Sequence, residues 1–263
     1  MNISTIGFLL MGFISLIGGF VLEKGDPSAL LLLSPAIIVF GGTMGAVGLA
    51  FPIRDVKRLP GILKMLFTAK EKDLSQIIIF FRDLSVKARK NGLLSIESEI
   101  NGVDIDPFIQ KGLQLVVDGV DPQAIQGILE LEAESTSERH RKGSGMFESA
   151  GGYSPTMGII GTVMGLVHVL GNLGEAASLG GKIAPAFIAT LYGVGFANVV
   201  YLPIGNKLNV LDDYEMAEKA LIIEAVLLIQ TGTNPNTLTE KLKGFLNKKD
   251  RVKLEVIDKG IES

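Results

Sequence analysis

The sequence predicts an all-α, polytopic membrane protein with four transmembrane helices and a cytoplasmic helical domain. Three observations predict it. Four stretches, Ile3–Leu22, Ala29–Ile53, Ser149–Gly174 and Ile183–Gly205, contain no Asp, Glu, Lys or Arg. Each reaches the roughly 20 residues that a helix rising ~1.5 Å per residue needs to cross a bilayer. The chain is 47% hydrophobic with a mean hydropathy of +0.39, too apolar for an ordinary soluble domain. Nowhere does it show strand alternation, an internal repeat or a low-complexity tract. The organisation that follows is residues 1–53 for the first two spans, 54–148 for a cytoplasmic helical domain, 149–205 for the third and fourth spans, and 206–263 for cytoplasmic C-terminal helices.

Each element has a local reason. The first apolar stretch has no Lys or Arg before it and no A-x-A cleavage site after it, so it reads as a retained helix and not a signal peptide. Leu74, Ile77, Ile78, Phe81, Leu84 and Ala88 recur at helical spacing and predict an amphipathic helix that Gly92 breaks. A short helix is expected from Ser95 to Glu99. Asp121-Pro122 reads as an N-cap with Pro at the first helical position, opening a helix that continues into the third span. From Asn206 to Thr231 there is no Gly, and no Pro, so the fourth span is expected to continue as one long helix until Gly232. Asn234-Pro235 caps a last short helix expected to contain Leu238, Leu242 and Leu246.

The cations set the orientation. Arg54, Lys57, Arg58, Lys64, Lys70 and Lys72 follow the second span; Arg139, Arg141 and Lys142 precede the third; Lys207 and Lys219 follow the fourth. The short loops Glu23–Ser28 and Gly174–Lys182 carry one Lys each. The positive-inside rule then places both termini and the large loop in the cytoplasm of an inner-membrane, multi-pass protein.

Composition excludes several functions. A net charge of −3 suggests no nucleic-acid partner, and the absence of Cys removes disulfides, thiolate catalysis and Cys-based metal sites. There is no phosphate-binding glycine loop, dinucleotide fingerprint or histidine pair at metal spacing, so no enzyme, cofactor or metal is indicated. Of the two histidines, His140 lies in a basic cluster at the membrane edge, and His168 near the outer end of the third span reads first as a helix contact and second as a proton relay.

The spans hold hydroxyls, glycines and prolines but no carboxylate, so an ion-conducting role requires an acid borrowed from a partner. Gly41-x-x-x-Gly45, Gly161-x-x-x-Gly165 and Ala189-x-x-x-Gly193-x-x-x-Ala197 are small-residue stripes. They serve either close packing within one subunit or a smooth interface to another. Thr162 sits seven residues, ~10 Å, outward of Pro155, and Thr190 thirteen residues, ~20 Å, outward of Pro203. A threonine hydroxyl can bond the carbonyl one turn back, or two of them can form a shared polar surface that meets an acid or lines an ion path. Pro155 and Pro203 either mark helix ends or act as hinges.

The segments GGYSPTMGIIGTVMGLVHVLGNL and AFIATLYGVGFANVVYLPIGNKL, with the tail GTNPNTLTEKLKGFL, closely resemble the MotA family of flagellar stator subunits over essentially the whole chain. The related ExbB and TolQ proteins, proton-driven energisers of outer-membrane processes, share the third- and fourth-span pattern. They usually have three spans, so the additional N-terminal helix favours MotA. The resemblance implies a pentameric ring around two copies of MotB, which would supply the membrane Asp. Thr162 and Thr190 match the family's hydroxyl ring, and Pro155 and Pro203 match prolines linked to conformational change. In ARKNGLLSIE, Arg89 and Glu97 match the charged positions that engage the rotor protein FliG; read alone, they are solvated loop charges. A single hydroxyl, Thr190, beside Ala189 favours protons over sodium as the coupling ion.

Overall fold

A computed structural model of the chain describes residues 3–68, 72–100, 105–171 and 179–261. The described elements are helical throughout, and four helices are long and apolar enough to cross a membrane. The chain divides into two compact units: Met1–Lys70 with Arg139–Leu211, and Glu71–Glu138 with Asp212–Ser263.

The first unit holds the four spans. Helix α1 is Ile3–Leu22. The second span opens with a 3-10 turn, Pro27–Leu30, capped by Asp26, which accepts from the Ser28 N–H. It continues as α2, Leu33–Ala36, a wider π turn at Ile37–Gly41, and α3, Gly42–Ala50. It ends at extended Phe51, ahead of Pro52, which disfavours helix at the residue before it. Short α4, Ile53–Val56, leads to α5, Leu59–Thr68. The apolar face of α5 places Leu66 against Phe147, Ile204 and Leu208. The third span is the later part of α9, Pro122–Leu170, a helix of 49 residues with Pro155 in its interior. The fourth begins with α10, Leu179–Phe196, passes a π turn at Ala197–Tyr201, and continues as α11, Leu202–Gln230. Most of the predicted loop Gly174–Lys182 lies outside the described residues.

Pro155 and Pro203 therefore do not mark helix ends; both sit inside continuous helical backbone. At Pro203 the chain has made room for the ring. A proline ring collides with the carbonyl four residues back, here that of Val199. Val199 lies within the π turn, whose wider coil is closed by the Leu202 N–H donating to the Ala197 carbonyl.

The second unit has its own core. Helix α6, Leu74–Asn91, contributes Ile78, Phe81 and Leu84; α8, Pro107–Val117, contributes Leu113; the early part of α9 contributes Ile125 and Leu129; and the later part of α11 contributes Leu221, Ile222 and Ile229. Burying each such side chain stabilises the unit by about 1.5–3 kcal/mol. Gly112 lets α8 approach closely, since a Cβ there would lie 2.9 Å from Val226 Cγ2. Gly92 ends α6 at φ +84° and Gly232 ends α11 at φ +65°, left-handed positions that suit glycine. The expected helix at Ser95–Glu99 is a 3-10 turn, Leu93–Ile96, followed by α7, Glu97–Ile100. The C-terminal helix α12 spans Pro235–Leu242, capped by Asn234. Leu246 falls beyond it, in extended backbone before α13, Lys248–Ile261, yet still packs into the core. Leu246 is the eleventh residue after Pro235, and the apolar spacing persists after the helix has tightened into a 3-10 turn and stopped.

One ion cluster ties this unit together. Lys72 Nζ lies 2.8 Å from Asp106 Oδ2 and 2.8 Å from the nearly buried Glu218 Oε1. Asp106 also caps α8 by accepting from the Phe108 N–H. Partial burial pushes the Asp106 carboxyl up, but Lys72 and the Phe108 N–H together outweigh it and hold it below the ordinary carboxylate range. Burial likewise works against the Lys72 ammonium, and its two carboxylate partners hold it above the ordinary lysine value. A lowered carboxyl stabilises the folded state at neutral pH, and that contribution is lost as pH falls through the lowered value.

Asp106→Asn keeps a capping side chain and removes the charge. Thermal melts should show the variant less stable than the parent at pH 7, by ~0.5–1 kcal/mol for so exposed a bridge. The gap should begin to close as pH falls below the ordinary carboxylate value of about 4 and be gone below the lowered one, where the parent has lost the same charge. Equal melting at pH 7 would show that water, not Lys72, holds the carboxylate.

Candidate functional site

The third and fourth spans approach through small residues. A Cβ at Gly158 would stand 2.9 Å from the Ala189 carbonyl oxygen, one at Gly165 2.7 Å from the Ala186 Cβ, and one at Gly193 2.5 Å from the Ser154 carbonyl oxygen. Gly161 meets the Ala189 Cβ at 2.6 Å on the same scale. Two of the three predicted stripes thus serve packing within the chain: Gly161 and Gly165 on α9, and Ala189 and Gly193 on α10. The third differs. Positions Gly41 and Gly45 face open space.

This closeness brings the two threonines together. The Oγ1 atoms of Thr162 and Thr190 are in direct hydrogen-bond contact. Thr162 Oγ1 also lies 2.9 Å from the Ala186 carbonyl oxygen across the interface and 3.1 Å from the Gly158 carbonyl oxygen one turn back. The backbone bond and the shared polar surface are therefore both present at Thr162. A hydroxyl has one hydrogen, and a carbonyl can only accept. When Thr162 donates to either carbonyl, Thr190 must be the donor in the pair. Thr190 then keeps free lone pairs and has no hydrogen left for a third group. In that state the pair accepts from an outside donor, such as a neutral carboxyl, and offers nothing to a carboxylate. Both threonines are partly exposed, and the surface around them is apolar: Ile159 and Val163 on α9, Phe187, Leu191 and Val194 on α10. The site is a polar point in a surface that suits lipid or a neighbouring helix, not water.

A residue the sequence reading passed over fixes the fourth span beside the second. Tyr192, two residues after Thr190, donates its hydroxyl hydrogen to the Leu30 carbonyl and accepts from the Leu32 N–H at 3.2 Å. Its ring stacks on Phe40 at 5.8 Å, and Phe40 meets Phe196 edge-on at 4.6 Å. Tyr192 is the one phenol in the apolar run Ile183–Gly205 apart from Tyr201, and a buried tyrosine needs a partner for its hydroxyl; that was the available signal. His168 lies exposed near the end of α9, away from the Thr162–Thr190 level by about two turns.

Arg89 and Glu97 belong to the second unit. Arg89 is exposed in the last turn of α6, and Glu97 is exposed at the start of α7, with the Gly92 turn between them. They do not share a helix face. Lys87 pins the two segments together, with Nζ 2.6 Å from Glu99 Oε1 and 2.8 Å from Ser98 Oγ. Among the described residues no group of His, Asp and Glu is arranged to hold a metal ion.

Residues 102–220 match the model of the MotA/TolQ/ExbB proton channel family. The chain is 41% identical to "Motility protein A" of Borreliella burgdorferi, over 84% of this chain and 85% of the relative. It is 36% identical to "Motility protein A" of Bacillus subtilis, over 95% of this chain and 92% of the relative. Its fold is similar to a chain of the flagellar MotAB stator complex from Bacillus subtilis, with a TM-score of 0.89 and 34% identity, covering 95% of this chain and 98% of that one. The likeness runs through all four spans and the helical unit between them, and the chain belongs to the MotA/TolQ/ExbB proton channel family.

Proposed function

We propose that this chain is a stator subunit of the bacterial flagellar motor, coupling ion flow to torque on the rotor. The observation that carries the reading is the Thr162–Thr190 hydroxyl pair, set in an exposed apolar face of a membrane portion that contains no carboxylate. Such a pair is a receptor for an acid brought by another helix. The MotAB complex whose chain this one resembles supports MotB as the partner, and in the proposed reading MotB supplies the membrane Asp. In the proposed assembly five copies surround two of MotB, and both termini and the large loop face the cytoplasm.

The hydrogen-bond logic gives a step. A protonated Asp donates to Thr190, while Thr190 donates to Thr162 and Thr162 to a carbonyl. When the proton leaves, the carboxylate needs donors, and Thr190 must turn its hydrogen from Thr162 outward. Protonation thus changes what the fourth span bonds, and protons are the coupling ion that this exchange requires. Pro155 and Pro203, inside their helices, are the places where the two spans can bend in response. Arg89 and Glu97 form the charged rim that engages FliG.

The chain reconstituted alone in liposomes should conduct no better than empty vesicles, and robust flux would show that it needs no borrowed acid. Thr190→Val keeps shape and removes the hydroxyl. It should abolish swimming while membrane insertion and assembly persist, and Thr190→Ser should retain partial motility. Normal swimming by the Val variant would reduce this hydroxyl to a backbone role.

Arg89→Glu changes an exposed charge, so folding stability should move by no more than about 0.5 kcal/mol. Torque should fall, because surface charges register a partner face. A reversal of the facing rotor charge should restore some swimming speed. Normal speed for the single reversal would remove this rim from the rotor contact.

A further inference from the structure

The second and third spans meet along one stripe of each. On α9 the stripe is Met146, Ala150, Ser154, Met157 and Gly161, at helical spacing. On the second span it is Val39, Thr43 and Val47, one residue per turn, all buried. Three contacts fix the antiparallel register. Val47 clusters with Met146 and Ala150. A Cβ at Gly42 would lie 2.7 Å from Met157 Sδ, and one at Gly161 3.5 Å from Ile38 Cγ2. With one helix ascending as the other descends, this register sets Thr43 at the level of Ser154.

Both residues are 0% exposed, and neither hydroxyl has a hydrogen-bond partner among the described residues. Buried hydroxyls nearly always have one, because losing water without replacement is costly. Two unmet buried hydroxyls at one level of two packed helices are a coincidence that a shared ligand removes. A third polar group belongs here. Pro155 follows Ser154 and has no N–H, so the Gly151 carbonyl has lost its helical donor. That carbonyl lies three residues before Ser154, within the range a serine side chain serves.

We propose that Thr43 Oγ1, Ser154 Oγ and the Gly151 carbonyl share one bound water molecule. Water donates twice and accepts twice, and about three partners is the usual number for a buried one. A monovalent cation suits the site poorly, since three neutral oxygens without a carboxylate do not offset its desolvation in the membrane. The water satisfies the backbone group that the proline frees, as ordered waters do at helix breaks within bilayers. It also gives the third span a bond that can be exchanged as the helix bends. That last role rests on Pro155 acting as a hinge; the site itself does not.

The test is a double-mutant cycle on the assembled complex, with Thr43→Val, Ser154→Ala and both together, read by thermal melting and by swimming speed. Each single variant leaves the remaining groups short of a partner and should lower the melting midpoint. The double variant should melt no lower than the worse single one, because either single variant already loses the shared water and the second substitution only removes a hydroxyl that was left without a partner. Additive losses would overturn the shared site. Thr43→Ser retains the hydroxyl and should melt close to the parent; a loss equal to that of Thr43→Val would assign Thr43 to packing alone and overturn the proposal. Coupled melting with normal swimming would keep the site and remove the bending role. A density map that shows ordered solvent should hold a peak within hydrogen-bond distance of both Oγ atoms. Direct contact of the hydroxyls without such a peak would overturn the water.

Discussion

Within a bilayer, helices gain no hydrophobic stabilisation by leaving lipid for one another, so close packing and hydrogen bonds must hold them. Everything at the candidate site depends on how near α9 and α10 come. Gly158 lies under the Ala189 carbonyl, and Gly193 under the Ser154 carbonyl, with no space for a methyl at either. That approach puts the Ala186 carbonyl within 2.9 Å of Thr162 Oγ1 and the two hydroxyls in contact. Side chains at those glycines would separate the helices, and each threonine would return to its own backbone. The polar pair is a product of the packing and does not create it.

The spans combine this tight seam with breaks in helical regularity. The fourth span widens into a π turn ahead of Pro203. The second widens at Ile37–Gly41, where Phe40 reaches Tyr192 and Phe196. The third accepts Pro155 without leaving the helix. In hydrocarbon a freed carbonyl has no bulk water to turn to, so such breaks persist only where neighbouring groups or an ordered buried water meet the need. Tyr192 does this for Leu30 and Leu32 at the entry of the second span.

The second unit obeys ordinary aqueous rules. Its core is Leu, Ile, Val and Phe from α6, α8, α9 and α11, and its buried carboxylates, Asp212 and Glu218, are each partnered, by Ser137 and by Lys72. Lys72, Asp106 and Glu218 show what a partly buried charge requires there: two carboxylates around one ammonium, with a capping N–H in addition. Arg89 and Glu97 flank the Gly92 turn, and the Lys87–Glu99 bridge keeps that turn in place. An exposed pair of opposite charges on a pinned turn is suited to meeting another surface.

The sequence by itself determined the class. Hydrocarbon demands long uncharged helices, and water demands periodic amphipathic ones, so both periods are written in the order of residues. Caps at Asp121-Pro122 and Asn234-Pro235 were legible because they act within four residues of themselves. It also placed Thr162, Thr190 and the small-residue stripes in the spans. What it left open was how they are used. Whether Gly161 and Gly165 pack inward while Gly41 and Gly45 stay open was a question of which helix lies next to which, and so was the meeting of Thr162 with the Ala186 carbonyl. The Tyr192 bonds to a loop 160 residues away, the π turns, and the burial of Thr43 and Ser154 belong to the same kind. Each depends on contacts between segments far apart in the chain, which no local pattern encodes, and only the tertiary packing of the spans decided them.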